Sequence, residues 1–425
     1  MNTAIIQGFS KLSKSEKIEA IANQLQLPDL DVSMKRYWHN TEQSLFDQFS
    51  ENTISNFYLP FGIAPNFLIN GEVYHIPMVV EESSVVAAAS SAAKFWAPHG
   101  GFHATVIDTQ KVGHVYFHFS DTKNILTEQW TSIRQFLLSG IVPYISSMEA
   151  RGGGVKSLIL DRLPEKPEIY FLQLTVETVN AMGANFINSL LEKLSELLIK
   201  FEGLEKVDVI MSILSNYTPD CKVHCYVNAH VSAFNNLHPA MSGKQVANKI
   251  LTAVDIANAD INRAVTHNKG IMNGIDAVVM ATGNDFRAVE ADAHAYASRS
   301  GKYSSLSSCE IKDDVFQLSV EIPLSLGTVG GLTNIHPMTK CSLDILAHPS
   351  AKQLMMITAT VGLANHFSAL RALVTKGIQH GHMKMHLSNI LEQLEATEEQ
   401  KIKANNWFAD KIISFNAVRE YLNVK

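Results

Sequence analysis

A chain of 425 residues, 46% hydrophobic and 18% charged, is long enough for two or more domains with large cores and too apolar to remain disordered. Its 35 basic and 41 acidic residues leave a formal charge of -6 without a basic run, which argues against nucleic acid as a partner. Four cysteines are too few to staple a chain of this size, so a reducing, cytoplasmic setting is expected.

The first residues, MNTAIIQGFSKLSKSEK, lack the apolar core of a secretory signal. Glu81 and Glu82 follow in PMVVEESSVVAAAS, where two carboxylates stand between an apolar run and an alanine-rich helix. An apolar setting pushes a carboxyl toward its protonated form, which makes a general acid, while a carboxylate before a helix can simply complement its dipole.

Residues 114–216 have their own rhythm. HVYFHFS alternates as a strand, NILTEQWTSIRQFLLSGI has helical spacing until Pro143, and VKSLILD and EIYFLQLTVET read as strands around a turn containing Pro164 and Pro167. A helix over about 181–201 aligns Phe186, Leu190, Leu194, Leu197, Leu198 and Phe201, and VDVIMSIL closes the set as a strand. The order βαββαβ predicts a small ferredoxin-like domain inserted into a larger, mainly helical one made from 1–113 and 217–374, giving an α+β protein. Leucine and isoleucine among many charges predict a helical C-terminal segment from 375 to 425.

In CKVHCYVN the alternation of Cys221, Val223, Cys225 and Val227 places both thiols on the apolar face of a strand, with His224 on the other face. The longest apolar window, 354–373, is broken by Asn365, His366, Ser368 and Arg371, so no membrane span is expected. Three glycine clusters, at 151–154, 281–285 and 327–331, do not form the dinucleotide fingerprint, and SGKQ lacks the earlier glycine of a P-loop. His382 and His386 share a helical spacing, but without an H-E-x-x-H arrangement the reading is no metal.

The segment HNKGIMNGIDAVVMATGNDFRAVEADAHAYASRSG, 267–301, sets Lys269 and Asp285 among long apolar runs and frequent glycines. Buried polar groups need partners, and a lysine beside a carboxylate stays charged and can stabilise an oxyanion. Together with ENTISNFYLPFGIAPNFLINGE (51–72), PMVVEESSVVAAAS (77–90), AMGAN (181–185), ILSN (213–216), GTVGGLTNIHP (327–337) and GLANHFSALRALVTKGIQHGHM (362–383), this segment resembles the 3-hydroxy-3-methylglutaryl-CoA reductases of class II, the soluble prokaryotic type. The blocks run in order along nearly the whole chain.

The resemblance implies reduction of the thioester to mevalonate with two NADPH or NADH and release of CoA, through mevaldyl-CoA and mevaldehyde, or the reverse. It implies that Lys269 stabilises each oxyanion, that Asp285 holds and polarises the lysine, that Glu82 supplies the carbonyl proton and that His382 protonates the CoA thiolate. Ser84, Arg263 and Asn273 would bind the substrate carboxylate and hydroxyl. Asn180, Ala181, Met182, Gly183 and Asn185 would lie near the pyrophosphate at a helix start, and Asn216 near the nicotinamide, in the inserted domain. The segment from 375 would be a flap over CoA, and the assembly a homodimer, or dimers of it, with sites at the subunit interface.

Four positions depart from the family pattern: Asn180 replaces the aspartate before AMG, Ser55 a glycine, Asn365 a glutamine and Asn334 a lysine. The absence of an acidic residue in PYISSM leans the coenzyme toward NADPH. Two rivals remain: a catalytically silent CoA-binding homologue, which the intact Glu82, Lys269, Asp285 and His382 oppose, and a thiolase-like transferase, which would need an activated cysteine.

Overall fold

The computed structural model describes residues 5–120, 124–375, 377, 387–408, 411 and 413–423. Two compact units divide the chain at Pro60 and Phe61. In the first, helices α1 (Lys14–Leu25), α2 (Leu30–Lys35) and α3 (Gln43–Phe46) follow one another. A capping box between Ser13 and Glu16 starts α1. Ser55, one of the departures, donates from its hydroxyl to the Met34 carbonyl at 2.7 Å.

The second unit opens with a hairpin of β1 (Phe61–Ile69) and β2 (Glu72–Val79). Its turn is Asn70–Gly71, with φ of 50° and 87°, the left-handed pair a tight hairpin requires. Helix α4 (Val85–Trp96) buries Ala89, Ala92, Ala93 and Trp96. Strand β3 (His103–Val106) then leads into the inserted region.

That region consists of β4 (Lys111–His118), α5 (Ile125–Glu128), α6 (Trp130–Glu149), β5 (Gly154–Leu163), β6 (Lys166–Glu177), α7 (Ala184–Leu198) and β7 (Asp208–Leu214). Its sheet is antiparallel in the order β5-β6-β4-β7. The strands and helices close around their own core, with Leu190, Leu191, Leu194 and Leu198 of α7 against Ile133, Leu137 and Ile141 of α6. The βαββαβ order read from the sequence is thus present. One boundary differs: α6 continues through Pro143 to Glu149, because Ile145 and Met148 extend the buried stripe of Ile133, Leu137 and Ile141. Packing there outweighs the one backbone bond a proline removes.

The rest of the unit carries β8 (Lys222–His230), α8 (Gly243–Ala259), α9 (Ile261–Ala281), α10 (Phe286–Ala297), β9 (Ser307–Lys312), β10 (Val315–Pro323), α11 (Pro337–Ile345) and α12 (Ala351–Val374). A second antiparallel sheet, β3-β8-β10-β9, backs these helices. Cys221, Val223, Cys225 and Val227 all point into the core from β8 and its start, as the alternation predicts. Helices α9 and α12 cross closely at glycine: a Cβ on Gly274 would lie 2.5 Å from the Val361 carbonyl oxygen, and one on Gly362 would lie 2.8 Å from Ile275. That contact fixes α9, the helix that carries Lys269, against the centre of the core.

Beyond 375, helices Glu398–Trp407 and Phe415–Leu422 share a small apolar cluster with Leu387, Ile390, Leu391, Ala404 and Val418. Among the described residues no helix is long and apolar enough to cross a membrane.

Candidate active site

The end of β2 and the middle of α9 bring the first two predicted residues together. Lys269 Nζ donates to Glu82 Oε2 at 2.8 Å, as an ion pair whose side chains are 60% and 39% exposed. Asn273 and Asp276 follow on the same face of α9, four and seven residues on, because 3.6 residues make a turn. With Glu81, Glu82, Lys269, Met280 and Glu290 they line a cavity of about 170 Å³. A cation thus stands at a pocket whose other charged lining groups are four carboxyls, Glu81, Glu82, Asp276 and Glu290.

Ser84 begins α4 with φ of 77°, a left-handed conformation that is unusual for a residue with a side chain. Its hydroxyl caps no helix N–H. Arg263 lies on α9 six residues before Lys269, and burial lowers the pKa of its guanidinium. Beside it, His267 and His366 both meet the Ser307 hydroxyl, at 2.7 and 3.0 Å. Burial, with the charge of Arg263, pushes His267 down to about 3 and His366 well below its usual value, so both rings stay neutral and leave Arg263 as the local charge.

Asp285 is held elsewhere in this chain. Among the described residues no hydrogen bond or ion pair joins it to Lys269. It caps α10, accepting from the backbone N–H of Arg287 and Ala288 at 3.0 and 3.2 Å, and it pairs with the Arg287 side chain. The reason is local: an aspartate just before a helix finds two unpaired N–H groups at once. His382 lies outside the described residues.

The residues assigned to the coenzyme gather around one turn. Gly183, with φ of 96°, starts α7 without a side-chain cap, and Met182, Ala184 and Asn216 line one cleft. Ala181 bridges to Val329, and a Cβ on Gly327 would lie 2.4 Å from the Met182 nitrogen, so the 327–329 end of the glycine cluster is packed onto this turn. Buried Lys111, which sequence reasoning missed, donates to the Thr109 carbonyl and to Thr178 Oγ1, and Thr178 in turn donates to the Ala181 carbonyl at 2.6 Å. Asn185 is exposed. Asn180 is engaged elsewhere: its Oδ1 accepts from the Ala351 N–H at the first turn of α12. The departure from aspartate at 180 therefore meets a helix end, which either side chain can satisfy.

Two other features bear on the chemistry. Burial pushes the Cys309 and Cys225 thiols up to about 12 and Cys221 up to about 11, which opposes a thiolate nucleophile at these three. Asp276 is also perturbed, and sequence reasoning overlooked it. Burial, then a hydrogen bond with Glu290, then the charges of Glu290 and Glu81 hold its carboxyl well above the usual range. The signal was present: a lone carboxylate in IDAVVMA, two turns after Lys269 on one helix face.

The model of the hydroxymethylglutaryl-coenzyme A reductase family matches residues 13–387. A 3-hydroxy-3-methylglutaryl-coenzyme A reductase from Archaeoglobus fulgidus is 36% identical over 399 residues, covering 93% of this chain and 88% of the relative. A probable one from Borreliella burgdorferi is 34% identical, covering 97% and 93%. The class II enzyme of Streptococcus pneumoniae, solved with NADPH bound in open conformations, superposes with a TM-score of 0.75 at 35% identity, covering 97% of this chain and 99% of that one.

Proposed function

The chain belongs to the hydroxymethylglutaryl-coenzyme A reductase family, and on that premise we propose which of its residues carry the reaction. The reaction is the four-electron reduction of 3-hydroxy-3-methylglutaryl-CoA to mevalonate and CoA. One observation supports the assignment above the others: the 2.8 Å contact of Lys269 with Glu82 at a cavity they both line. An ammonium placed there faces the oxygen that becomes negative when the carbonyl is reduced, and the adjacent glutamate passes that oxygen a proton. Ser84, Asn273 and Arg263 hold the substrate hydroxyl and carboxylate. His382 protonates the departing thiolate.

A nicotinamide coenzyme supplies the hydrides when bound. The turn at 180–185 fits its phosphates: α7 begins with backbone N–H groups that no side chain caps, and Gly183 and Gly327 let the turn pack closely on Thr178 and on the 327–329 segment. Residues 114–216 are accordingly the nucleotide-binding domain and 375–425 the flap. The preference is NADPH, on the absence of an acidic residue in PYISSM and on the NADPH carried by the pneumococcal relative. We place the active site at the boundary of a homodimer. The exposure of Lys269 and Glu82 in one chain supports this, since reactive intermediates need a site closed to water. Asp285 would act on a lysine across that boundary, or after its bonds to α10 and Arg287 rearrange.

Glu82→Gln is expected to cut carbonyl reduction by about 10²–10⁴, the loss of a general acid, because an amide keeps the shape without an acidic proton. Glu81 lines the same cavity but, among the described residues, Lys269 bonds to Glu82, so Glu81→Gln should keep most of the activity. Steady-state assays of the two variants side by side decide it: a fully active Glu82→Gln beside an inactive Glu81→Gln would reverse the assignment.

A further inference from the structure

Below the Lys269–Glu82 pair the cavity is lined by two carboxyls for which substrate binding has no use. Asp276 lies two turns along α9 from Lys269, and its Oδ1 is shut off from solvent without a hydrogen-bond partner. Glu290 of α10 lines the same cavity, and its carboxyl adds to burial in raising the pKa of Asp276. Glu290 Oε2 meets His294 Nε2 at 2.6 Å, one turn further along α10. His294 Nδ1 then meets the Tyr303 hydroxyl at 2.8 Å, and the ring is 40% exposed. Two hydrogen-bonded contacts thus lead from Glu290 to the surface, and Glu290 shares the cavity with Asp276.

Two carboxyls that share a small, partly closed cavity disfavour each other's ionisation, so one of them tends to keep a proton. The surroundings decide which. Burial and the neighbouring carboxylates keep the proton on Asp276, whereas the hydrogen bond from His294 holds Glu290 below the usual carboxylate range and Glu290 raises His294 in return. Among the described residues no group of three ligand side chains could hold a metal ion, so a metal does not explain this cluster. Glu82, meanwhile, is paired with an ammonium, and a carboxylate in an ion pair has no proton of its own to give.

We propose that Asp276, Glu290 and His294 form a proton relay that loads Glu82 from the solvent side, out of the way of bound substrate and coenzyme. This rests on the assignment of Glu82 as the group next to the reacting oxygen. In each reduction the carbonyl carbon takes a hydride with its electron pair, and the oxygen takes one proton through Glu82. Asp276 gives its proton to Glu82, Glu290 passes one to Asp276, His294 passes one to Glu290, and a proton from water restores His294. One proton enters per hydride, and no residue changes oxidation state. Among the described residues the groups facing Asp276 are Glu81 and Glu82 after β2, Lys269 on its own helix and Glu290 on α10; α4, α8, α11 and α12 also pack on α9 but set no described titratable side chain into the cavity.

The test is mevaldehyde reduction by the full-length enzyme, which needs one hydride and one proton and no thioester cleavage. In the wild type, kcat should fall on the alkaline side as Asp276 loses its proton. Asp276→Asn should lower kcat at least about tenfold, within the range of a lost general acid, leave KM for mevaldehyde and coenzyme within about twofold, and remove that alkaline limb. An infrared difference spectrum of the two proteins at neutral pH should show a protonated-carboxyl band in the wild type alone. His294→Asn, at the exposed end, should give a first turnover near the wild-type rate followed by slower ones. A folded Asp276→Asn with wild-type kcat and pH profile would overturn the relay, and so would a loss confined to KM. Where Asp276→Asn fails to fold, His294→Asn decides alone: a linear, wild-type progress curve overturns the relay. An active Glu82→Gln would instead remove the assignment on which the relay rests.

Discussion

Lys269→Ala is expected to abolish reduction of both 3-hydroxy-3-methylglutaryl-CoA and mevaldehyde while leaving the fold intact. Removing one neutral donor preorganised toward an oxyanion costs about 10²–10³ in rate, and Lys269 contributes a full charge. Its side chain is 60% exposed and makes no contact that holds α9 in place, a task that falls to the Gly274–Val361 crossing. The substitution also leaves Glu81, Glu82, Asp276 and Glu290 around one cavity without their cation, which penalises negative charge on the substrate further. Steady-state rates with each substrate, beside a thermal melt, measure this. Substantial turnover of either substrate by folded Lys269→Ala would remove the lysine from the reaction.

His382→Gln is expected to separate the two substrates. A CoA thiol has a pKa roughly like that of free cysteine, about 8.5, so its thiolate returns to the aldehyde unless it is protonated, and an imidazole with an ordinary pKa of about 6.5 is suited to give that proton near neutrality. Mevaldehyde has no thioester. The variant should therefore slow turnover of the CoA substrate by about 10²–10⁴ and leave mevaldehyde reduction largely intact, where Lys269→Ala loses both. Equal loss of the two reactions would mean that the histidine shapes the site or serves the carbonyl oxygen.

Much of the fold was legible because the signals were local. The leucine stripe of α7 and the alternation through Cys221 to Val227 each follow from one periodicity and one buried face. The sheet β3-β8-β10-β9 was not legible, since β3 is four residues long and its partner β8 is more than a hundred residues away. Pro143 was overweighted, because a rule about one backbone bond does not count the residues buried on either side of it. In the site, Lys269 and Glu82 came from the resemblance, and their meeting follows from β2 packing on α9. Asp285 reads in sequence as a partner for lysine and in structure as a helix cap, two roles the same residue type fills. Asp276 was passed over because its perturbation comes from α10, which no pattern around residue 276 encodes.

The most direct measurement of the central claim follows nicotinamide absorbance and free thiol together, with the full-length protein, 3-hydroxy-3-methylglutaryl-CoA and each reduced coenzyme in turn. A reductase that carries the thioester through to the alcohol oxidises two coenzyme molecules for every CoA released, with the higher kcat/KM for NADPH. Binding of the CoA substrate with no coenzyme oxidised, or release of CoA with none consumed, would contradict it and leave a silent binder or an acyl transferase.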